Sequence, residues 1–296
     1  MKIVGEYGRE DLAKVYVSMM REDKKSLVEF AESIQPPLPF EKKWVIIIST
    51  LFGCPVKCKM CDAGGTFYGR LTSDEILQQI DYLVGRHFSN HKIPVEKFKI
   101  QFARMGEPAF NPDVLYVLEK LPETYDAPGL VPCISTIAPA GTEKFFEKLI
   151  QIKKRFYSNG HFQLQFSIHT TDIEKRNEII PVKKWGFKQI ADYGEKFFEE
   201  GDRKITLNFA AAWGYEVEPK IIREYFNPEK FLIKLTPLNP TNNVNKNKLV
   251  SFIDPYKPET ASGLMESFRS YGFDTILSIG ELEENNIGSN CGQFIS

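Results

Sequence analysis

Histidine is scarce in this chain: four in 296 residues, none of them near the main group of cysteines. Cysteine is sparse too. There are five, an odd number, and three crowd into positions 54–61, too close together for a secreted disulfide framework. No uninterrupted apolar run reaches the ~20 residues of a membrane helix. The opening Met1-Lys2-Ile3-Val4-Gly5-Glu6 is too mixed in charge for a signal peptide. These absences set the expectation of a cytoplasmic protein with no membrane partner. There is no low-complexity segment. There is also no excess of positive charge: 38 basic against 39 acidic residues give a net charge of −1. That argues against a strongly basic nucleic-acid binder, which needs clustered Lys and Arg. The one short basic run, Lys183-Lys184-Trp185 with Lys188, reads as a solvated helix end.

What is present is ordinary in bulk, 42% hydrophobic and 26% charged, and long enough for one large domain with its own core. The cysteines are therefore not needed as folding staples, and a chemical role gains weight. Gly53-Cys54-Pro55-Val56-Lys57-Cys58-Lys59-Met60-Cys61-Asp62 spaces three of them C-x3-C-x2-C. Three thiolates on one short loop can hold three corners of a cubane iron–sulfur cluster. The fourth iron is then open to a substrate. A structural zinc would want a fourth ligand within a few residues, and the nearest histidine is His87.

Residues 1–35 read as polar helical material, with Leu12, Val15, Val17, Met19 and Met20 in a first helix and Leu27, Phe30 and Ala31 in a second. Pro36-Pro37-Leu38-Pro39 ends this segment as a stiff connector. Trp44–Thr50 is a β-branched run without polar alternation, the mark of a strand covered on both faces. The cysteine loop follows it. Thr72-Ser73-Asp74-Glu75 is a capping box that opens a helix through Val84. Alternating strands follow at Phe98–Phe102, Val131–Thr136, Phe162–Ile168, Ile205–Ala211 and Phe231–Leu235. Helices begin after Asn111-Pro112 and Thr142, near Pro219–Tyr225, and around Glu259–Tyr271, with a possible last strand at Thr275–Ser278. Asn239–Lys248 reads as a surface loop. Some six β-then-α units in series predict an α/β fold, a partial (β/α)6 TIM-like barrel, with its site at the C-terminal ends of the strands. The cysteines, Glu107, Ser135, Ser167, His169 and Asn239 all fall at such ends.

C-x3-C-x2-C after the first strand of such a barrel resembles the radical S-adenosylmethionine (SAM) superfamily. The resemblance implies a 4Fe-4S cluster on Cys54, Cys58 and Cys61. SAM would be chelated at the open iron and cleaved to a 5′-deoxyadenosyl radical, with electrons from a reductase of flavodoxin or ferredoxin type. From about Trp44 onward the chain is similar to the members that methylate adenine carbons C2 or C8 of ribosomal RNA. The likeness is carried by Met105-Gly106-Glu107-Pro108, Ile134-Ser135-Thr136, Ser167-Ile168-His169 with the run to Pro181, Pro237-Leu238-Asn239-Pro240, and Asn290-Cys291-Gly292-Gln293. It implies that Gly106, Glu107, Ser135, Ser167, Ile168, His169 and Asn239 bind SAM, that Cys291 is the methyl-carrying cysteine, and that RNA is the acceptor.

Three departures accompany the likeness. The family's second catalytic cysteine falls on Ile47, leaving Cys133, which shares strand parity with Ser135, as a stand-in. The family's folded N-terminal domain is answered here by the 53 residues before Cys54, expected as a helical extension over 1–40 ahead of a radical SAM core over 41–296. The family's N-terminal glutamate has Glu32 as its candidate. Three readings follow: a radical SAM methyltransferase acting on an sp2 carbon, a radical SAM enzyme that takes hydrogen directly from a small molecule or peptide, and a non-catalytic metal-binding or RNA-docking module.

Overall fold

The computed structural model describes residues 1–34, 38–288 and 294–295. The chain starts not in helices but in three antiparallel strands, β1 (Lys2–Arg9), β2 (Ala13–Met19) and β3 (Leu27–Ser33). The helical expectation for the N-terminal extension is corrected here. Its physical reason is burial: β2 and β3 are covered on both faces, so the alternation that betrays a strand is missing from the sequence. One face packs aromatic on aromatic, Tyr16 and Phe30 against Tyr82 of the first long helix.

β3 pairs antiparallel with β4 (Trp44–Ile48), and there the sheet changes character. A short ribbon, β5 (Leu51–Gly53) and β6 (Phe67–Arg70), flanks the cysteine loop. Then β7 (Phe98–Phe102), β8 (Leu130–Thr136), β9 (Gln163–Ser167), β10 (Ile205–Ala210), β11 (Phe231–Thr236) and β12 (Thr275–Leu277) add one after another, each parallel to its neighbour. The helices are α1 (Ser73–His87), α2 (Asp113–Thr124), α3 (Glu143–Phe156), α4 (Ile173–Ile179), α5 (Phe187–Phe197), α6 (Pro219–Tyr225), α7 (Asn242–Lys246), α8 (Ser262–Ser270) and α9 (Leu282–Ile287). This serial β-then-α order is the expected TIM-like α/β architecture. The sheet runs on through β12, with no pairing of β12 back to β4 among the described residues. No described helix is long and apolar enough to cross a membrane.

Several local expectations hold. Thr72 and Glu75 form the capping box of α1, each side chain bonded to the other's backbone N–H (3.2 and 2.8 Å). Others change. Thr142 precedes α3, but its hydroxyl donates to the Pro139 carbonyl rather than capping. In the short basic run Lys184 bonds Asn177 and the Ile180 and Val182 carbonyls, Lys188 pairs with Asp192, and Lys183 is exposed, in keeping with a solvated segment. Along β7, Phe98, Ile100 and Phe102 are fully buried against the helices, which leaves Lys99 and Gln101 facing the lumen. The same alternation turns Gln165 of β9, Asn208 of β10 and Lys234 of β11 inward, whereas β4 contributes the apolar Ile47.

Glu32 belongs to the scaffold. Its carboxylate accepts from Tyr16 Oη (2.9 Å) and Trp44 Nε1 (3.2 Å) and pairs with His87 Nε2 (2.8 Å). Burial pushes its pKa up, but His87, Tyr16 and Arg86 outweigh that and hold it below the ordinary range. Removing it leaves buried donors unpartnered. Glu32→Ala is therefore expected to cost ~3 kcal/mol in denaturant unfolding, with iron content per folded chain unchanged. A loss of iron at undiminished stability would place Glu32 in the site instead.

Candidate active site

The strand ends converge on one cavity of about 420 Å³, lined by Cys54, Cys58 and Cys61 together with Gly106, Glu107, Ser135, Ser167, His169 and Asn239. Two glycines make the approach possible. Gly53 enters the cysteine loop at φ +77°, where a Cβ would stand 2.0 Å from the Thr66 carbonyl oxygen. Gly106 sits at φ +98° with Leu51 where its Cβ would be, 2.5 Å away. Thr50 and Leu51 N–H both donate to the Met105 carbonyl (2.8 and 3.3 Å). This fixes the loop after β7 against the strand that leads into the cysteines.

The cysteine loop is buckled from the far side by a segment that the sequence presents as a plain surface loop. Asn239–Lys248 contains α7 instead. Thr241 Oγ1 donates to the Met60 carbonyl, Asn243 Nδ2 to the Cys61 carbonyl and Asn247 Nδ2 to the Lys59 carbonyl, each at 2.8 Å. In return the Asp62 carboxylate accepts from the N–H groups of Asn242 and Asn243 (2.8 and 2.7 Å) at the start of that helix. The clue in the sequence was only the density of Asn and Thr, which suits capping as well as solvent.

Cys54 is buried and Cys58 and Cys61 are half-buried. Their thiols do not already close on one point. Among the described residues no three Cys, His, Asp or Glu groups surround a single metal ion, and a cubane asks for a wider spread, one thiolate to each of three irons. Three soft thiolates opening onto a cavity suit such a cluster. The rest of the lining suits a ligand rich in donors. Asn208, which the sequence reading passed over, lines the cavity with a buried Oδ1 that has no partner among the described residues.

Glu107 is buried and accepts from Thr136 Oγ1, Ile137 N–H (2.9 Å) and Ala109 N–H (3.1 Å). A carboxylate has about four acceptor positions, so one remains for a ligand. Burial pushes its pKa up to about 7 in spite of those three donors. His169 takes a left-handed backbone (φ +66°), and its Nδ1 accepts from Ala210 N–H (3.1 Å). Burial, with Arg176 nearby, pushes its pKa down to about 3. The ring is thus a neutral Nε2–H donor and not a proton shuttle near pH 7. Ile168 parts from its neighbours: its side chain is fully buried in the hydrophobic core, away from the cavity. Ile47 lines the cavity. Cys133 is buried and in register with Gln101, which is itself in register with Ile47. Cys291 lies outside the described residues.

The chain on either side of Cys291 is nevertheless placed. Arg104, in the cavity wall, forms a fully buried ion pair with Glu29 of β3 and donates to the Gly288 carbonyl (2.9 Å). Glu29 also accepts from the N–H groups of Phe294 and Ile295 (2.7 and 3.0 Å). The N-terminal glutamate that pairs with a residue of the cavity wall is Glu29, whereas Glu32 pairs with His87. The two are three residues apart on one strand and face opposite ways.

Two outcomes follow from this geometry. Because the folded state holds the Glu107 proton to about pH 7 and the unfolded chain releases it near 4.5, stability before ligands are added declines as pH rises through that window and levels off above it. Glu107→Gln flattens the decline in thermal melts from pH 4.5 to 8; equal slopes would contradict a buried carboxyl here. Asp62→Ala with Asn243→Ala unbuckles the cysteine loop, and iron is expected to leave the reconstituted protein about tenfold faster, the worth of roughly one charge-assisted hydrogen bond.

No family model matches the chain. Among curated proteins it is 28% identical over 180 residues to a probable dual-specificity RNA methyltransferase RlmN of Prochlorococcus marinus strain MIT 9515, covering 60% of this chain and 49% of that one. It is 27% identical over 263 residues to the dual-specificity RNA methyltransferase RlmN of Wolinella succinogenes, covering 85% and 70%. The chain thus spans about half the length of the first relative and about seven-tenths of the second. Among solved structures, a radical SAM methyltransferase from Sphaerobacter thermophilus superposes with a TM-score of 0.72 at 16% identity, covering 100% of this chain and 81% of that one. A spore photoproduct lyase with bound AdoMet gives 0.51 at 13% identity, covering 78% and 75%. The cysteine loop, the polar strand ends around one cavity and these likenesses agree: the chain has the fold of a radical SAM methyltransferase and is similar in sequence to RlmN proteins.

Proposed function

We propose that this protein is a radical SAM methyltransferase acting on an sp2 carbon, of an RNA adenine or a related acceptor. One observation supports it most. The cavity that gathers the three loop cysteines and the polar strand ends is the one whose wall, through Arg104 and Glu29, holds the chain on both sides of Cys291. In this reading Cys54, Cys58 and Cys61 hold a 4Fe-4S cluster, which, when bound, supplies the electron that cleaves SAM to a 5′-deoxyadenosyl radical. The last acceptor position of Glu107 receives the SAM amino group beside the Gly106 backbone. Ser135, Ser167, Asn239 and the neutral His169 hydrogen-bond the rest of SAM, with Asn208 as a further acceptor. Ile168 backs this wall from the core side. Cys291 is the thiol that carries the methyl group. Electrons come from a flavodoxin- or ferredoxin-type reductase.

Ile47 supports a second reading. Where the RlmN-like pattern has a thiol, an isoleucine lines the cavity, and it cannot attack a covalent adduct. A protein that removes hydrogen directly from a small molecule or peptide needs no such thiol. Anaerobic reconstitution with SAM, dithionite and total RNA separates the two. The methyltransferase reading expects a methylated Cys291 by mass spectrometry and a methylated base in digested RNA. Cys291→Ala should then keep SAM cleavage while losing the methylated product. An unmodified Cys291 together with transfer of deuterium from a small substrate into 5′-deoxyadenosine would establish the second reading. Absence of any SAM cleavage in a cluster-loaded protein would remove both.

A further inference from the structure

The lumen of the barrel holds four lysines that nothing in the site above employs. Lys43 immediately precedes β4 and Lys97 immediately precedes β7. Those strands pair in parallel with Trp44 beside Phe98, and Trp44 N–H bonds the Lys97 carbonyl at 3.1 Å, so the two lysines enter the barrel side by side. Lys99 follows two residues later on the same face of β7, in register with Val45 and Val131. Lys234 of β11 comes from across the lumen and also lines the cavity of the cysteine loop. Lys234 lies within electrostatic reach of Lys99 and Lys43, and so does Lys97.

A recessed ammonium normally finds a carboxylate. Among the described residues no ion pair or side-chain hydrogen bond involves any of these four. Three acids at that end of the barrel are taken by other bases, Glu96 by Lys42, Asp202 by Lys153 and Asp274 by Lys204, while Glu41 and Glu229 are exposed on the outside. Burial first, and then the neighbouring basic groups, push the pKa values of Lys97 and Lys234 down to about 8 and lower that of Lys43 as well. Four like charges gathered without a counter-charge destabilise the fold unless something negative comes between them. Phosphate and carboxylate groups meet that need, because ammonium groups on flexible stems can close on them from several directions.

We propose that this lysine cluster is a binding site for a small, multiply charged anion held inside the barrel, and that Lys234 carries it to the edge of the cysteine-loop cavity. The site does not depend on which radical reaction the protein performs. Its enclosure by the strands favours a small ligand over a polynucleotide backbone.

Calorimetric titration of the reconstituted full-length protein tests this, with SAM saturating and no reductant, so that the SAM pocket is filled and nothing turns over. Pyrophosphate and citrate are the probes. Saturable binding of at least one is expected, weakened about tenfold, ~1.4 kcal/mol, by Lys234→Met and by Lys99→Met. Lys234→Arg should largely retain it. Lys42→Met, which removes a surface lysine paired with Glu96, should leave it unchanged. Binding of pyrophosphate alone identifies a phosphate ligand, binding of citrate alone a carboxylate, and binding of both a site that reads charge. No saturable binding, or binding that the lumen variants leave unaltered, overturns the site. Displacement of the probe by a single-stranded RNA oligonucleotide overturns the small-ligand assignment.

Discussion

The buried ion pair between Arg104 and Glu29 is the constraint on which the arrangement of this molecule turns. Both side chains are almost wholly out of water. Two such charges are costly to keep out of water unless each is paired and further hydrogen-bonded. Here three parts of the chain supply what is needed. β3 gives the carboxylate, the loop after β7 gives the guanidinium, and the end of the chain gives the Gly288 carbonyl and the Phe294 and Ile295 amides. Taking away either charged side chain strands the other. The N-terminal sheet, the barrel and the C-terminal segment are thus joined by electrostatics as well as by packing. Gly288 and Phe294–Ile295, on either side of Cys291 in the sequence, are bonded to this one ion pair.

Much of the barrel was legible because parallel strands announce themselves. Trp44–Ile48 reads as a buried run, and Phe98–Phe102 alternates between core and lumen, so both the strands and their inward residues follow from the pattern. The polar residues at the strand ends, from the cysteines to Asn239, then fall around one cavity as the order of units implies. The N-terminal strands were not legible for the opposite reason. With both faces covered, Val15, Val17 and Phe30 show no alternation to distinguish strand from helix. The same loss of contrast hid Glu29 behind Glu32. One sits in the ion pair at the site and the other in the Tyr16–Trp44–His87 network. Which face of β3 meets the barrel is settled by tertiary packing, not by the residues themselves. The buckle on the cysteine loop was missed because its bonds span some 180 residues of sequence, and Asn-rich composition alone fits a cap and a solvated turn equally well.

The lumen also changes what the overall charge means. A net charge of −1 argues against a surface made for polyanions. That sum averages over the whole chain, while a ligand feels only the field where it binds. Acids balanced in ion pairs on the outside contribute little inside a recessed, low-dielectric space, where unbalanced charges interact more strongly than in water. Strand alternation places Lys99 and Lys234 in such a space, with Lys43 and Lys97 at its entrance and Glu96, Asp202 and Asp274 engaged by other bases. Above them the register line through Ile47, Gln101 and Cys133 is nearly uncharged. Above that again come the acceptors Glu107 and Asn208 and the cysteine loop. The barrel is therefore graded along its axis, cationic at the strand starts and donor-accepting at the strand ends. A substrate that is anionic at one end and reactive at the other would be oriented by that gradient, whereas a neutral base reaching in from a polynucleotide would draw on only its upper half.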